Sequence, residues 1–154
     1  MTLVDKVQKD LVAAMKAKDA LRLGCLRMLK TALHNRKVEK GVGSELDEAE
    51  AMAVVKSLVK QRREAAVEFR KGGADDRAQQ EEKEITILDA YLPAAVSEDA
   101  IREAVEAAVK ETGAVTVKDM GKVMKAVMGR FAGQNVDGKQ VSQLVRQRLA
   151  TRSQ

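Results

Sequence analysis

Every long segment of this chain repeats its apolar residues at helical spacing, and none alternates in the manner of a strand. That periodicity predicts an all-α protein. Turn formers are scarce: one proline, Pro93, occurs in 154 residues, and aromatic side chains make up 2%. A β-sandwich or barrel needs many turns and strand-forming aromatics, so both are excluded.

About seven helices are predicted. Thr2 caps the first, which carries Leu3, Val7, Leu11 and Met15, and Asp19 caps the second, which Gly41 stops. Asp47 and Glu50 form a capping box for the third, which ends at Gly72-Gly73. The fourth spans about Asp75 to Ala90, and Ser97 caps a fifth that reaches Thr112. A sixth runs from Thr116 to about Met128, and Asp137 caps a seventh from Gly138 to about Ala150. Pro93 disfavours helix in the residue before it and marks the one stretch that reads as a boundary. A four-helix N-terminal subdomain over residues 1–93 and a three-helix C-terminal subdomain over 94–154 follow.

Several functions are excluded by single residues. Cys25 is the only cysteine and His34 the only histidine, which rules out an internal disulfide, a thiolate zinc site and histidine metal cages. No metal or cofactor is therefore expected. No apolar run approaches the roughly 20 residues needed to cross a bilayer, and the charged first 30 residues do not read as a secretory signal. A reduced, cytoplasmic protein with no membrane partner is the expectation.

The string Gly133 to Gln140 matches the G-x-x-x-x-G-K spacing of a phosphate loop. It lacks the following Ser or Thr that would hold magnesium, and a helix precedes it where a strand is required, so it reads as a turn capped by Asp137. Glu81, Glu82 and Glu84 lie among Arg77 and Lys83 on a charged face, with no sign of the separated environments that paired catalytic acids need. At about 100° per residue, Leu21, Cys25, Leu26, Met28, Leu29, Ala32 and Leu33 fill one arc of roughly 160°, which makes Cys25 a buried thiol. His34 falls opposite, beside Arg27, Lys30 and Lys37, as a solvated residue on a basic face.

The formal charge of +5 is unevenly spread. Residues 1–40 carry 10 basic and 4 acidic groups, residues 41–95 carry 8 and 12, residues 96–112 carry 2 and 5, and residues 113–154 carry 8 and 2. Two basic ends around an acidic middle suggest a polyanionic partner. In the sixth helix, Val117, Met120, Val123, Met124, Val127 and Met128 cover an apolar arc of roughly 140°, while Lys118, Lys122 and Lys125 share a separate stripe about 60° wide. In the seventh, Val141, Leu144, Val145 and Leu149 form the buried face and Lys139, Gln143 and Arg146 point outward. Arg148 projects back toward the apolar side, where it must snorkel or meet a carboxylate.

Lysine stripes and glycine-rich loops suit phosphate contact. The lack of aromatics argues against single strands held by base stacking, so structured RNA is the favoured nucleic acid. The candidate nucleic-acid-binding residues are Lys118, Lys122, Lys125, Lys139, Gln143 and Arg146; no catalytic residue is assigned.

A family resemblance covers nearly the whole chain. It rests on Leu26-Arg27-Met28-Leu29 with Asn35-Arg36, on Val59-Lys60-Gln61-Arg62-Arg63-Glu64, and on Leu88-Asp89-Ala90-Tyr91-Leu92-Pro93. It continues through Met120-Gly121-Lys122-Val123-Met124, Asp137-Gly138-Lys139 and Val141-Ser142-Gln143-Leu144-Val145. In the order and spacing of these strings the chain resembles the GatB/YqeY family in its stand-alone YqeY-like form.

The resemblance implies two helical subdomains, the second similar to the tail of the GatB subunit of tRNA-dependent amidotransferase, which contacts the tRNA body. It implies a tRNA-binding accessory module associated with amidation from glutamine and not catalytic alone, with an amidotransferase or synthetase as protein partner. One alternative is an adaptor that docks proteins through its acidic middle helices. A weaker one is a carbon–nitrogen ligase using glutamine as amido-N-donor.

Overall fold

The computed structural model describes residues 1–152, and the last two residues of the expected 94–154 subdomain lie outside the described residues. It is all-α: seven α-helices and one short 3-10 turn are present among the described residues, with no strand. The helices are α1 (Leu3–Ala17), α2 (Ala20–Lys40), α3 (Glu48–Lys71), α4 (Asp75–Asp89), α5 (Glu98–Thr112), α6 (Met120–Arg130) and α7 (Gly138–Arg152). Residues Val117–Asp119 form the 3-10 turn ahead of α6. The chain divides into two compact units, Met1–Leu92 and Pro93–Gln154.

The helix starts follow from short polar side chains. Thr2 Oγ1 accepts from the Asp5 N–H at 3.1 Å while the Asp5 carboxylate takes the Thr2 N–H, so two orphan donors of α1 are satisfied at once. Asp47 and Glu50 do the same for α3, at 2.7 and 3.1 Å. Asp19 and Ser97 cap α2 and α5.

In the first unit, Leu3, Val7, Leu11 and Ala14 of α1 meet Cys25, Leu26, Leu29 and Leu33 of α2, with Val55 and Val59 of α3 and Leu88 of α4. Met15 does not join them. It is exposed, and Ala14 holds the last buried position of α1. Met28 lies at the edge of the predicted arc and is also exposed. Its sulfur accepts from Arg62 Nη2 at 2.9 Å, so the position borders a polar group and not the core. Arg62 is buried, with each of its three nitrogens partnered: it also donates to the Glu84 carboxylate at 3.2 Å and to the Leu58 carbonyl. Tyr91 closes the unit by donating to Asp10 at 2.6 Å.

The second unit packs Ile101, Val105, Ala108 and Val109 of α5 against Val123 and Val127 of α6 and against Val141, Leu144, Val145 and Leu149 of α7. Its entry is stapled by backbone. The Val96 N–H donates to the Asn135 carbonyl at 2.8 Å, and Asn135 Nδ2 donates to the Pro93 carbonyl at 3.0 Å.

Candidate nucleic-acid interface

The Gly133–Gln140 string forms the turn between α6 and α7. Gly133 sits at φ +80, which a side chain would strain, and Asp137 Oδ1 accepts from the Lys139 N–H at 3.0 Å as α7 begins. Those bonds serve the helix start, as the sequence reading required.

The sixth helical segment departs from its sequence reading. Its first residues wind as a 3-10 turn, and α6 proper begins at Met120. Thr116 Oγ1 accepts from the Lys118 N–H, and the Asp119 carboxylate takes the N–H groups of Val115 and Thr116 at 2.9 and 3.3 Å. These backbone donors, with Lys122 nearby, hold the Asp119 carboxyl below its usual range. Caps of this kind satisfy the first donors while tightening the winding.

Tighter winding moves side chains. At about 120° per residue, Lys118 advances by roughly 40° relative to the α-helical projection. The lysine stripe on a common axis then widens from about 60° to roughly 80°, with Lys118 closest in angle to Lys125. The same winding lines Val117 up with Met120, inside the expected apolar arc, yet Val117 is exposed at the first residue of the turn. Met120 and Met124 are half-buried against the core, and Met128 at the far end is exposed, so the methionine stripe is core only over its first half.

Lys118, Lys122 and Lys125 are all exposed, as are Lys139, Gln143 and Arg146. On each helix these residues lie across the axis from the buried valines and leucines. The two sets lie on different elements, Lys118, Lys122 and Lys125 on α6 and the turn ahead of it and Lys139, Gln143 and Arg146 on α7.

Charge pairing distinguishes these residues from the arginines of the same unit. Arg148 makes a bidentate contact with Glu106, one arm at 3.1 Å, which is the second of the two outcomes its position allowed. Arg130 meets Glu111, and Arg102 meets Glu98 at 2.9 Å. Lys118, Lys122, Lys125, Lys139 and Arg146 form no ion pair among the described residues. The acids of α3 to α5 are largely engaged: Glu50 with Lys40, Glu82 with Arg70, Glu84 with Arg62, and Asp89 with Arg63.

Residues 4–149 match the family model described as Yqey-like protein. The chain belongs to the YqeY-like family. Relatives of this YqeY-like chain include yeast proteins named altered inheritance of mitochondria protein 41, mitochondrial. The one from Lachancea thermotolerans is 36% identical over 89 residues, covering 58% of this chain and 47% of the relative. The one from Kluyveromyces lactis is 34% identical over 96 residues, covering 60% and 51%. The Candida glabrata protein is 29% identical over 106 residues, covering 67% and 58%. The chain thus spans about half the length of these relatives.

Elsewhere in the YqeY-like fold, Cys25 is buried with its thiol toward the Glu84 carbonyl at 3.9 Å, and burial pushes its pKa up to about 11. That is the opposite of a reactive thiolate. His34 is exposed on α2, where the sequence placed it. Among the described residues, no three acidic, histidine or cysteine side chains could together hold a metal ion. Among the described residues no helix is long and apolar enough to cross a membrane. The sequence reading missed a crevice between α1, α2 and the segment joining α2 to α3, because its wall is a loop that periodicity cannot place.

Proposed function

We propose that the C-terminal unit is a binding surface for tRNA or another structured RNA, and that the chain is an accessory module for tRNA-dependent amidation from glutamine. The observation that carries this reading is the division of basic groups. Arg102, Arg130 and Arg148 are spent on α5 carboxylates, while Lys118, Lys122, Lys125, Lys139 and Arg146 stay exposed and without ion pairs among the described residues. Like charges held close on one helix face cost folding free energy unless a polyanion neutralises them. The resemblance to the GatB tail read from the sequence alone suggests the tRNA and the amidation setting, with an amidotransferase or synthetase as protein partner.

The adaptor reading has weaker support, since much of the acidity it would use is already neutralised within the unit that carries it. A reducing aqueous interior suits the lone thiol: cytoplasm, or the mitochondrion that the yeast relatives' names give for those proteins.

Binding of total tRNA across a salt series tests the proposal. With about five phosphate contacts, log affinity falls with log salt at a slope of roughly −4, about 250-fold between 50 and 200 mM. No binding at low salt refutes it. Glutamine-dependent amide formation by the purified chain alone would instead establish catalysis.

A further inference from the structure

The N-terminal unit holds a crevice of about 170 Å³ that the RNA reading leaves unused. Its floor is aliphatic: Val7 and Leu33 are core residues, and Val4 and Leu46 stand at its edges. Along one rim, Lys30, His34 and Lys37 follow one another on α2 at i, i+4 and i+7, so all three face the opening. The opposite wall is the loop after α2, and it is fixed in place. Lys40 Nζ donates to the Glu45 carbonyl at 2.8 Å, and Lys37 Nζ meets the Glu45 carboxylate at 2.9 Å. Lys30 and His34 have no ion pair among the described residues, and Arg27 extends the same face by one turn.

The combination selects its occupant by chemistry. The crevice has room for an aliphatic side chain, and the only acid lining it, Glu45, is already paired with Lys37. Lys30, with Arg27 one turn away on the same face, therefore asks for an anionic ligand, and the His34 ring can add a hydrogen bond. No aromatic ring lines the crevice, so a nucleobase would find no stacking platform there. A carboxylate-bearing chain with one apolar side chain satisfies both the floor and the rim. We propose that this crevice docks a short acidic segment of a partner protein, one leucine-sized side chain seated on Val7 and Leu33 and flanking carboxylates against Lys30 and His34. The inference is independent of RNA binding by the C-terminal unit.

Fluorescence anisotropy with a short labelled peptide, glutamates around one central leucine, tests it on the full chain. The wild type binds this peptide, and the same peptide with a central alanine binds roughly tenfold or more weakly, because a leucine side chain gains most of its affinity by burial. Val4→Asp places a carboxylate at the crevice edge in the first turn of α1, where an acid suits the helix, so the fold persists while the leucine peptide weakens at least about tenfold. The pair Lys30→Glu and His34→Glu removes detectable binding while circular dichroism stays unchanged. Three results overturn the proposal: no binding by the wild type, equal binding of the leucine and alanine peptides, or unaltered binding by the variants. Direct binding of tRNA that Lys30→Glu with His34→Glu abolishes, together with displacement of the peptide from the wild type by tRNA, would overturn it too and assign the face to nucleic acid.

Discussion

Substituting Lys118, Lys122 and Lys125 together by Gln removes three exposed charges that make no ion pair among the described residues. If each lysine displaces one condensed counterion, log affinity for RNA loses roughly 0.7–0.9 per tenfold salt step for each contact. The slope of log affinity on log salt then becomes shallower by roughly 2–3. Referred to 1 M salt, the loss at 0.1 M is roughly 100- to 500-fold, or about 3–4 kcal/mol. A matched control removes the same formal charge elsewhere in the unit: Arg102, Arg130 and Arg148, each to Gln. These arginines are bound to Glu98, Glu111 and Glu106, so the control costs roughly 1–3 kcal/mol of stability and leaves the salt slope near that of the wild type. Filter binding of tRNA at several salt concentrations reads the slope, and urea unfolding reads the stability. Equal slopes for the two triple variants would mean that binding follows net charge and not the ridge, and the reasoning would fail.

Leu149→Ala should cost roughly 2–5 kcal/mol in urea unfolding, because Leu149 is fully buried among α5, α6 and α7. Asp47→Ala removes the cap that accepts the Glu50 N–H at 2.7 Å and should cost about 1 kcal/mol, readable as a lower urea midpoint. Because the folded protein raises the Cys25 pKa from 9.0 to about 11, the unfolded chain releases this proton first as pH rises. Stability should therefore decline between about pH 9 and pH 11 by this route, and the melting temperature of Cys25→Ala should fall less steeply over the same range. An equal decline in both would refute the assignment.

How much of this was legible in the sequence depends on how local the determinant is. Thr2, Asp19, Asp47, Ser97 and Asp137 act on donors two or three residues away, so composition and spacing were enough to find them. Cys25 was legible because it lies well inside a broad apolar arc. Met15 and Met28 were misread because they sit at the edge of an arc, and Val117 because it is the first residue of its segment, which a projection down the axis does not register. The angle of Arg148 left it to snorkel or to meet a carboxylate, and the choice of Glu106, 42 residues away, needed tertiary packing. The crevice beside Lys30 depends on a loop held by Lys37 and Lys40, which has no period to read.

The division between arginine and lysine in the C-terminal unit has a physical logic of its own. A guanidinium offers a rigid fork that matches a carboxylate, which suits it to tie α6 and α7 to α5. An ammonium is a compact, strongly hydrated charge on a flexible stem, and it reaches a phosphate from many directions without fixed geometry. The exposed groups without ion pairs are mainly lysines, and neither ridge carries an aromatic ring. Such a surface distinguishes poorly between bases and well between spacings of phosphate. Discrimination would then come from the separation of the α6 and α7 ridges, which a folded RNA presents at fixed distances and a flexible single strand does not. Structured tRNA should therefore bind more tightly than a single strand of equal charge.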